Sequence, residues 1–327
     1  MASIEDVAKK AKVSVTTVSR MMNNHPYVSD KTKKRIQKAM EELSYFPNSG
    51  AQQLRGKGTK LIGVIVSYIT NPFFSYLVAS IEKTATEMGY HLIVLQTLQD
   101  IKREELFINM LKKKQLDGLI STSLETNTEE VCEMVRKGEI VLCNRSLIHQ
   151  DLPIVQIDEA KISEEATLHL FERGYQKIAF CLGGETLHPT DNRFKGFMAA
   201  HLRQHQEFNQ NFFFKNVKTI QQGRELFHMV SALTERPDAL FANSDEVAAG
   251  FVDEAILHGW NIPQDMAVMG FDDQPIASLL TPKLTTIRQP IDEMGRQATL
   301  ALLSHLENQE FEMPAPLRAE LIIRSST

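Results

Sequence analysis

From residue 61 onward the chain repeats one theme, a short run of aliphatic residues followed by a stretch with helical periodicity. The runs are LIGVIV (61–66), HLIVLQ (91–96), DGLIST (117–122), EIVLCN (139–144), IVQID (154–158), KIAFCL (177–182), ALFAN (239–243), MAVMGF (266–271) and AELIIR (319–324). Strands rich in Val, Ile and Leu and separated by helices predict parallel sheets covered on both faces. The runs are too many for one comfortable sheet; two lobes of about 100–130 residues accommodate them. Ligands of open parallel sheets sit beyond the carboxyl ends of the strands, which points to the loops after these runs.

Ahead of the repeat lies a different pattern. Ile4, Val7, Ala8 and Ala11 recur at i, i+3, i+4 and i+7, the stripe of a short helix. Lys12, Val13 and Ser14 interrupt it, and Ser14 is the expected N-cap of a second helix. Val18, Met21 and Met22 form that helix's inward side and leave Val15, Thr16, Thr17, Ser19 and Arg20 facing out. Two helices joined by a tight turn, the second with a mostly polar outer face, describe a helix-turn-helix, which lays its second helix in the major groove of DNA. After the turn formers Asn23, Asn24, His25 and Pro26, a third helix is predicted from about Asp30 to Leu43. Its stripe is Ile36, Ala39, Met40 and Leu43, and its other faces carry Lys31, Lys33, Lys34, Arg35 and Lys38.

Charge divides the chain the same way. Residues 1–60 hold 12 basic and 5 acidic residues, whereas the remainder holds 24 basic and 36 acidic, so the overall −5 conceals a cationic head on an anionic body. That asymmetry suits polyanion binding at one end. With 43% hydrophobic and 24% charged residues the chain has ample core, and no run approaches the ~18 apolar residues of a membrane span. The amphipathic N-terminus lacks a secretory apolar segment, so a cytoplasmic protein is expected. Cys132, Cys143 and Cys181 lie far apart with neither paired nor zinc-type spacing and read as buried thiols.

The segments DVAKKAKVSVTTVSR, VSDKT, EELSYFPN, AQQLRGK, LIGVIV and NPFF, with GFDD and LTTIRQP far downstream, resemble in order and spacing the lac repressor (LacI/GalR) family, over essentially the whole chain. The resemblance implies an all-α helix-turn-helix headpiece (1–46), a hinge (47–60) and an α/β two-lobed periplasmic-binding-protein-like domain (61–327). The N-lobe is expected at about 61–160 plus 290–323 and the C-lobe at about 161–289, with crossings near 158–163, 286–290 and 310–316. Two departures are Lys12, where the family usually has a turn glycine, and Gly50 in the hinge. Lysine in a left-handed turn costs roughly 1 kcal/mol, a small loss and not a different fold.

By the same resemblance Val15, Thr16 and Arg20 face base edges. Arg20 can grip guanine O6 and N7, Val15 offers methyl contact to thymine, and Thr16 can bond either kind of edge. Ser3, Thr17, Ser19, Asn23, Ser29 and Thr32 suit phosphates, which position a domain without reading sequence; capping or solvation is the competing role for each. The hinge segment SGAQQL is too short to be helical alone in water. It is expected to order on DNA, with Leu54 and the neighbouring Ala51 at the minor groove, where apolar wedging kinks the duplex. A plain linker, with Leu54 packed on the body, is the alternative. Family membership implies a homodimer on a near-palindromic operator, and the chain's end at Thr327, with no leucine-heptad tail, points to a dimer rather than a tetramer.

The loops after the strands offer Ser67, Asn71 to Phe74, Asn144–Arg145, Asp191 to Arg193, Ser244–Asp245 and Asp272–Asp273. An aromatic wall, a guanidinium and carboxylates among amides and hydroxyls suit a polyhydroxylated ligand. The candidate effector residues are Ser67, Phe73, Phe74, Asn144, Arg193, Ser244 and Asp272, with Arg193 and Asp272 first by family position. Competing roles remain: Arg193 solvated on a helix, Asp272 a turn residue, the phenylalanines core, Asp245 the N-cap of a helix starting at Glu246, His149 and His188 polar loop residues. Asp272 and Asp273 should point to different sides of their loop, unlike a glycosidase acid/base pair. Gly183–Gly184 reads as a tight turn, since the dinucleotide fingerprint is missing. No catalytic triad, metal spacing or phosphate loop stands out, so neither enzyme nor cofactor is expected. The function this implies is a repressor of a carbohydrate-use operon released by a sugar. Its rivals are a corepressor-dependent (purine-type) or phosphocarrier-dependent regulator and, in another class, a sugar transport receptor.

Overall fold

The computed structural model describes residues 2–22, 25–45, 58–126, 128–146, 152–184 and 191–327. The chain forms two compact units, Met1–Thr59 and Lys60–Thr327.

In the first unit, helices α1 (Ile4–Ala11), α2 (Val15–Met22) and α3 (Asp30–Glu42) enclose Val7, Ala8, Ala11, Val18, Ile36 and Ala39, with Ile4, Met21, Met22, Met40 and Leu43 packed around them. Each helix start is satisfied by a hydroxyl. Ser3 and Asp6 form a reciprocal capping box on α1; Ser14 Oγ accepts from Thr17 N (3.1 Å) and Ser29 Oγ from Thr32 N (3.4 Å). Lys12 ends α1 in the left-handed conformation (φ 51°), its N–H on the carbonyls of Ala8 and Lys9. Arg35 Nη2 donates to the Lys12 carbonyl at 3.2 Å, which ties the strained turn to α3.

The second unit holds two parallel sheets. β1 (Leu61–Val66), β2 (His91–Gln96), β3 (Gly118–Leu124), β4 (Ile140–Ser146) and β5 (Ile154–Val155) lie in the order β2-β1-β3-β4-β5. They are covered by α4 (Pro72–Glu87), α5 (Ile101–Lys112), α6 (Glu129–Arg136) and the late helix α12 (Ile291–Leu306). The second sheet, ordered β7-β6-β8-β9, is built from β6 (Ile178–Cys181), β7 (Phe213–Phe214), β8 (Ala239–Phe241) and β9 (Ala267–Met269). Around it stand α7 (Glu159–Glu172), α8 (Asn192–Arg203), α9 (Ile220–Ser231), α10 (Asp245–Leu257) and the short α11 (Pro275–Leu279). All three cysteines are buried and unbridged, and burial pushes the Cys143 thiol up to about 12.

Every aliphatic run of the sequence overlaps a strand. Two strands escaped it: β7, a Phe-Phe pair, and β10 (Thr286–Arg288), which had only the look of a crossing. The chain's end is also placed differently from the N-lobe expected to reach residue 323. β11 (Glu320–Ile322) pairs antiparallel with β10, and the last residues return to the second lobe, where Val268 N donates to Ser326 O (2.9 Å) and Thr285 N to Ser326 Oγ (2.8 Å). A run of apolar residues announces a strand but not its partner. The first crossing likewise comes slightly early, because α7 starts at Glu159 and already packs on α8; Leu317 runs beside Ile157 through a parallel bridge.

Helices α7 and α8 touch backbone to backbone. A Cβ at Gly196 would collide with the carbonyl of Ala160, an atom that no rotamer change can move. Gly196→Ala should therefore destabilise the body by about 1–3 kcal/mol, seen as a lower urea midpoint; an unchanged midpoint would mean the helices part freely.

Candidate functional site

Between the carboxyl ends of the two sheets opens a cleft of about 930 Å3. Ser67, Phe73, Phe74, Asn144, Arg193, Ser244 and Asp272 all line it. Asn71 caps α4 through Phe73 N (3.0 Å), which sets Phe73 and Phe74 on the first turn, edge to face at 5.3 Å. Phe73 is nearly buried and serves core and wall together. Ser67, just past β1, shares a hydroxyl–hydroxyl bond of 2.8 Å with Ser123 of β3.

Asn144 owes its position to a bulge. The β3–β4 register shifts between Ser121 and Ser123, and Asn144 takes a left-handed backbone (φ 80°). Bulges re-aim a side chain, and asparagine tolerates that conformation better than most residues. Asp272 (φ 104°) and Asp273 (φ 49°) are left-handed as well. Their carboxylates diverge, as their adjacency suggested: Asp272 lines the cleft, while Asp273 binds Arg288 Nε (2.7 Å) and Arg324 Nη2 (2.5 Å).

The floor of the second lobe is organised by Arg193, in the first turn of α8. Its Nε donates to Glu159 Oε1 (2.7 Å), its Nη1 to the Asn243 carbonyl (3.1 Å), and its Cζ lies 3.5 Å from the centroid of the Phe271 ring. Burial opposes its charge, but Glu159 and Asp272 outweigh that and hold the guanidinium above its ordinary pKa. Asp272 accepts from Gln289 Nε2 (2.6 Å) and Gln274 Nε2 (3.4 Å). Burial raises its pKa, and Arg193 and Gln289 pull part of the way back.

Asp245 corrects an expectation. The N-cap of α10 is Ser244, whose Oγ accepts from Val247 N (3.3 Å). Asp245 is the first helical residue, fully buried, accepting from Gln274 N (2.6 Å) and Thr286 Oγ1 (2.5 Å). Burial, then the charge of Asp272, drives its pKa well above the ordinary carboxylate value.

Several lining residues had no signal in the sequence: Glu125, Glu159, Glu225, Glu246, Lys218 and Gln99. Lys218 Nζ, from the second lobe, donates to Gln99 Oε1 of the first at 2.8 Å, a link between the lobes. Among the described residues the lining carries six carboxylates, adding Asp191 and Asp272 to the four glutamates above, against Arg193 and Lys218. A Cβ at Gly183, after β6, would stand 2.8 Å from the Asn243 amide nitrogen, the end of a side chain that can give way. His149 and His188 lie outside the described residues.

In the headpiece, Val15, Thr16 and Arg20 all stand on the exposed face of α2. The hydroxyls of Ser3 and Ser29 are engaged as helix caps; those of Thr17 and Thr32 bond Ser14 (2.8 Å) and Ser29 (2.9 Å). Ser19 is half-exposed. Asn23, Gly50, Ala51 and Leu54 lie outside the described residues.

A helical headpiece and a two-lobed body with a polar cleft define an effector-binding regulator. Residues 3–48 match the model for bacterial regulatory proteins of the lacI family, and residues 59–321 that for periplasmic binding proteins and the sugar-binding domain of the LacI family. The chain belongs to the LacI family. Among curated relatives it is 35% identical over 329 residues to the NTD biosynthesis operon regulator NtdR of Bacillus subtilis, covering all of both chains. It is 32% identical to the ribose operon repressor of Halalkalibacterium halodurans, covering 100% of this chain and 97% of that one. Among solved structures, a LacI-family regulator from Lactobacillus casei with bound sucrose is 33% identical (TM-score 0.73, 82% of this chain and 99% of that one). The lac repressor dimer bound to operator shares the fold at 24% identity (TM-score 0.82, 99% and 98%).

The buried Asp245 carries a pH signature. Its folded pKa is raised, so the native state holds a proton that the unfolded chain releases near the ordinary aspartate value of 3.8. Stability is then greatest below that value and falls as pH rises through the folded pKa. Asp245→Asn should flatten part of that slope in urea titrations from pH 4 to 7; parallel slopes for variant and wild type would contradict the assignment.

Proposed function

We propose that this protein is a cytoplasmic, dimeric transcriptional repressor that binds a near-palindromic operator and is released from it by a sugar, with no catalytic role. The observation that carries the reading is the Glu159–Arg193–Asp272 arrangement at the floor of the cleft, faced by Phe73 and Phe74. Carboxylates and a guanidinium grip pairs of hydroxyls through charge-assisted bonds, and an apolar ring face covers the carbon skeleton. Ser67, Asn144 and Ser244 complete the polar lining. The carboxylate surplus favours a neutral sugar over a phosphorylated one, whose charge would meet repulsion inside a low-dielectric cleft.

On the DNA side, Val15, Thr16 and Arg20 read base edges. Ser3, Thr17, Ser19, Asn23, Ser29 and Thr32 address the phosphates, with Ser3 and Ser29 doing so from helix caps. Residues 47–60 serve as the hinge, with Ala51 and Leu54 at the minor groove. Closure of the lobes on a sugar biases the hinge, so effector and operator affinities depend on each other reciprocally. Within the body, the N-lobe is 61 to about 157 plus the α12 segment, and the C-lobe is the rest.

Two substitutions separate the two sites. Arg193→Ala should leave operator affinity intact and abolish the response to sugar in an operator-binding titration; a retained response removes Arg193 from the effector site. Arg20→Ala should cost about 1–3 kcal/mol of discrimination at one base pair of each half-site; an unchanged base preference in a binding-site selection would contradict its assignment. The same titration distinguishes an inducer, which lowers operator affinity, from a corepressor, which raises it.

A further inference from the structure

Behind the first turns of α9 and α10, which line the cleft, the two helices pack at glycines. A Cβ at Gly223 would collide with the carbonyl of Val247, and one at Gly250 with that of Ile220. This close approach holds the two backbones together, and one to two turns further along, with His258 as the C-cap of α10, it brings three metal-binding side chains to one point. His228 Nε2 stands 3.1 Å from Glu254 Oε1, and His258 Nδ1 stands 3.5 Å from the same oxygen while donating to the Glu254 backbone carbonyl at 2.9 Å, a bond that an ion on that nitrogen would replace. One ligand atom from each residue falls within 4.8 Å of the other two. Donor atoms on one tetrahedral zinc ion, with bonds of about 2.0–2.2 Å, stand about 3.3 Å apart. Small side-chain rotations therefore bring this set onto one ion.

We infer that His228, Glu254 and His258 form a binding site for a divalent transition-metal ion of the zinc class. The chemistry selects the ion: imidazole nitrogens suit zinc, copper and nickel, whereas magnesium and calcium need oxygen ligands throughout. Three protein ligands leave the fourth position to water. Both rings are exposed and open to an incoming ion, while Glu254 is half-buried and fixed. The rings are also oriented from behind. Phe227 lies 5.1 Å from the His258 ring and 5.1 Å from Trp260, and the two imidazoles meet edge to face at 5.1 Å. Glu254 and His258 are four residues apart on one helix face, and His228 reaches them from the neighbouring helix. An ion there would clamp the far ends of the two helices whose first turns line the cleft.

Isothermal titration of the full-length, tag-free protein with Zn2+ tests the assignment, with Mg2+ as control. Wild type should take up one Zn2+ per chain and no Mg2+. The His228→Gln/His258→Gln double variant and Glu254→Gln should each bind at least about tenfold more weakly, since even outer partners of a metal site contribute that much. Their melting temperatures in chelator should match wild type, because both rings are at the surface. No uptake by wild type, or equal uptake by all three proteins, overturns the site. If a variant fails to fold, imidazole NMR signals of the wild type decide: Zn2+ should shift those of His228 and His258, and shifts confined to other histidines would refute the proposal.

Discussion

A guanidinium withdrawn from water must find its charge and its N–H groups answered by the protein, and at Arg193, in the first turn of α8, those answers come from three separate parts of the chain. Glu159 opens α7, the Asn243 carbonyl follows β8, and Asp272 follows β9. Removing one partner of such a buried set leaves the rest uncompensated, which costs more than the net worth of the pairing. The floor of the cleft therefore behaves as a unit. The Phe271 ring under the guanidinium adds a contact that strengthens as water is excluded.

Around this unit the backbone departs from its preferred conformations where the lining requires it. Asn144 sits on a bulge at φ 80° and Asp272 at φ 104°, each costing of the order of 1–3 kcal/mol. The sheets and the buried helix stripes absorb that cost. In the headpiece the same trade is made at Ser44 (φ 47°) and at Lys12, where the turn stays left-handed with a lysine in place of the more tolerant glycine and a hydrogen bond from Arg35 holds it.

What the sequence made legible follows from periodicity. Most aliphatic runs became strands whose residues are buried between layers of helix, while β11 pairs in a two-stranded ribbon instead, and Val7, Ala8, Ala11, Val18, Ile36 and Ala39 met in one core because their spacing put them on facing stripes. The loops after the strands could be found because parallel sheets gather them at one end. Legibility failed where long-range contacts decide. Serine and aspartate are equally good caps, and only the pull of Gln274 and Thr286 on Asp245 leaves the cap of α10 to Ser244. Glu159 looks like a solvated charge until α7 packs on α8 and meets Arg193, Lys218 until the lobes meet at Gln99, and the partner of β11 is set by a crossing that no local pattern encodes. His228 lies far from Glu254 and His258 in sequence, and only the glycine contacts of α9 and α10 unite them.

The link between Lys218 and Gln99 has a kinetic meaning. It joins an ammonium to a neutral amide at a solvent-facing edge, where competition with water keeps it at or below the roughly 1.5–3 kcal/mol of a bond to a charged group. Thermal fluctuations part such a clasp readily. Solutes can enter and leave on the time scale of domain breathing without disturbing either sheet, and the duration of a signal then depends on how firmly the bound molecule itself holds the two halves shut.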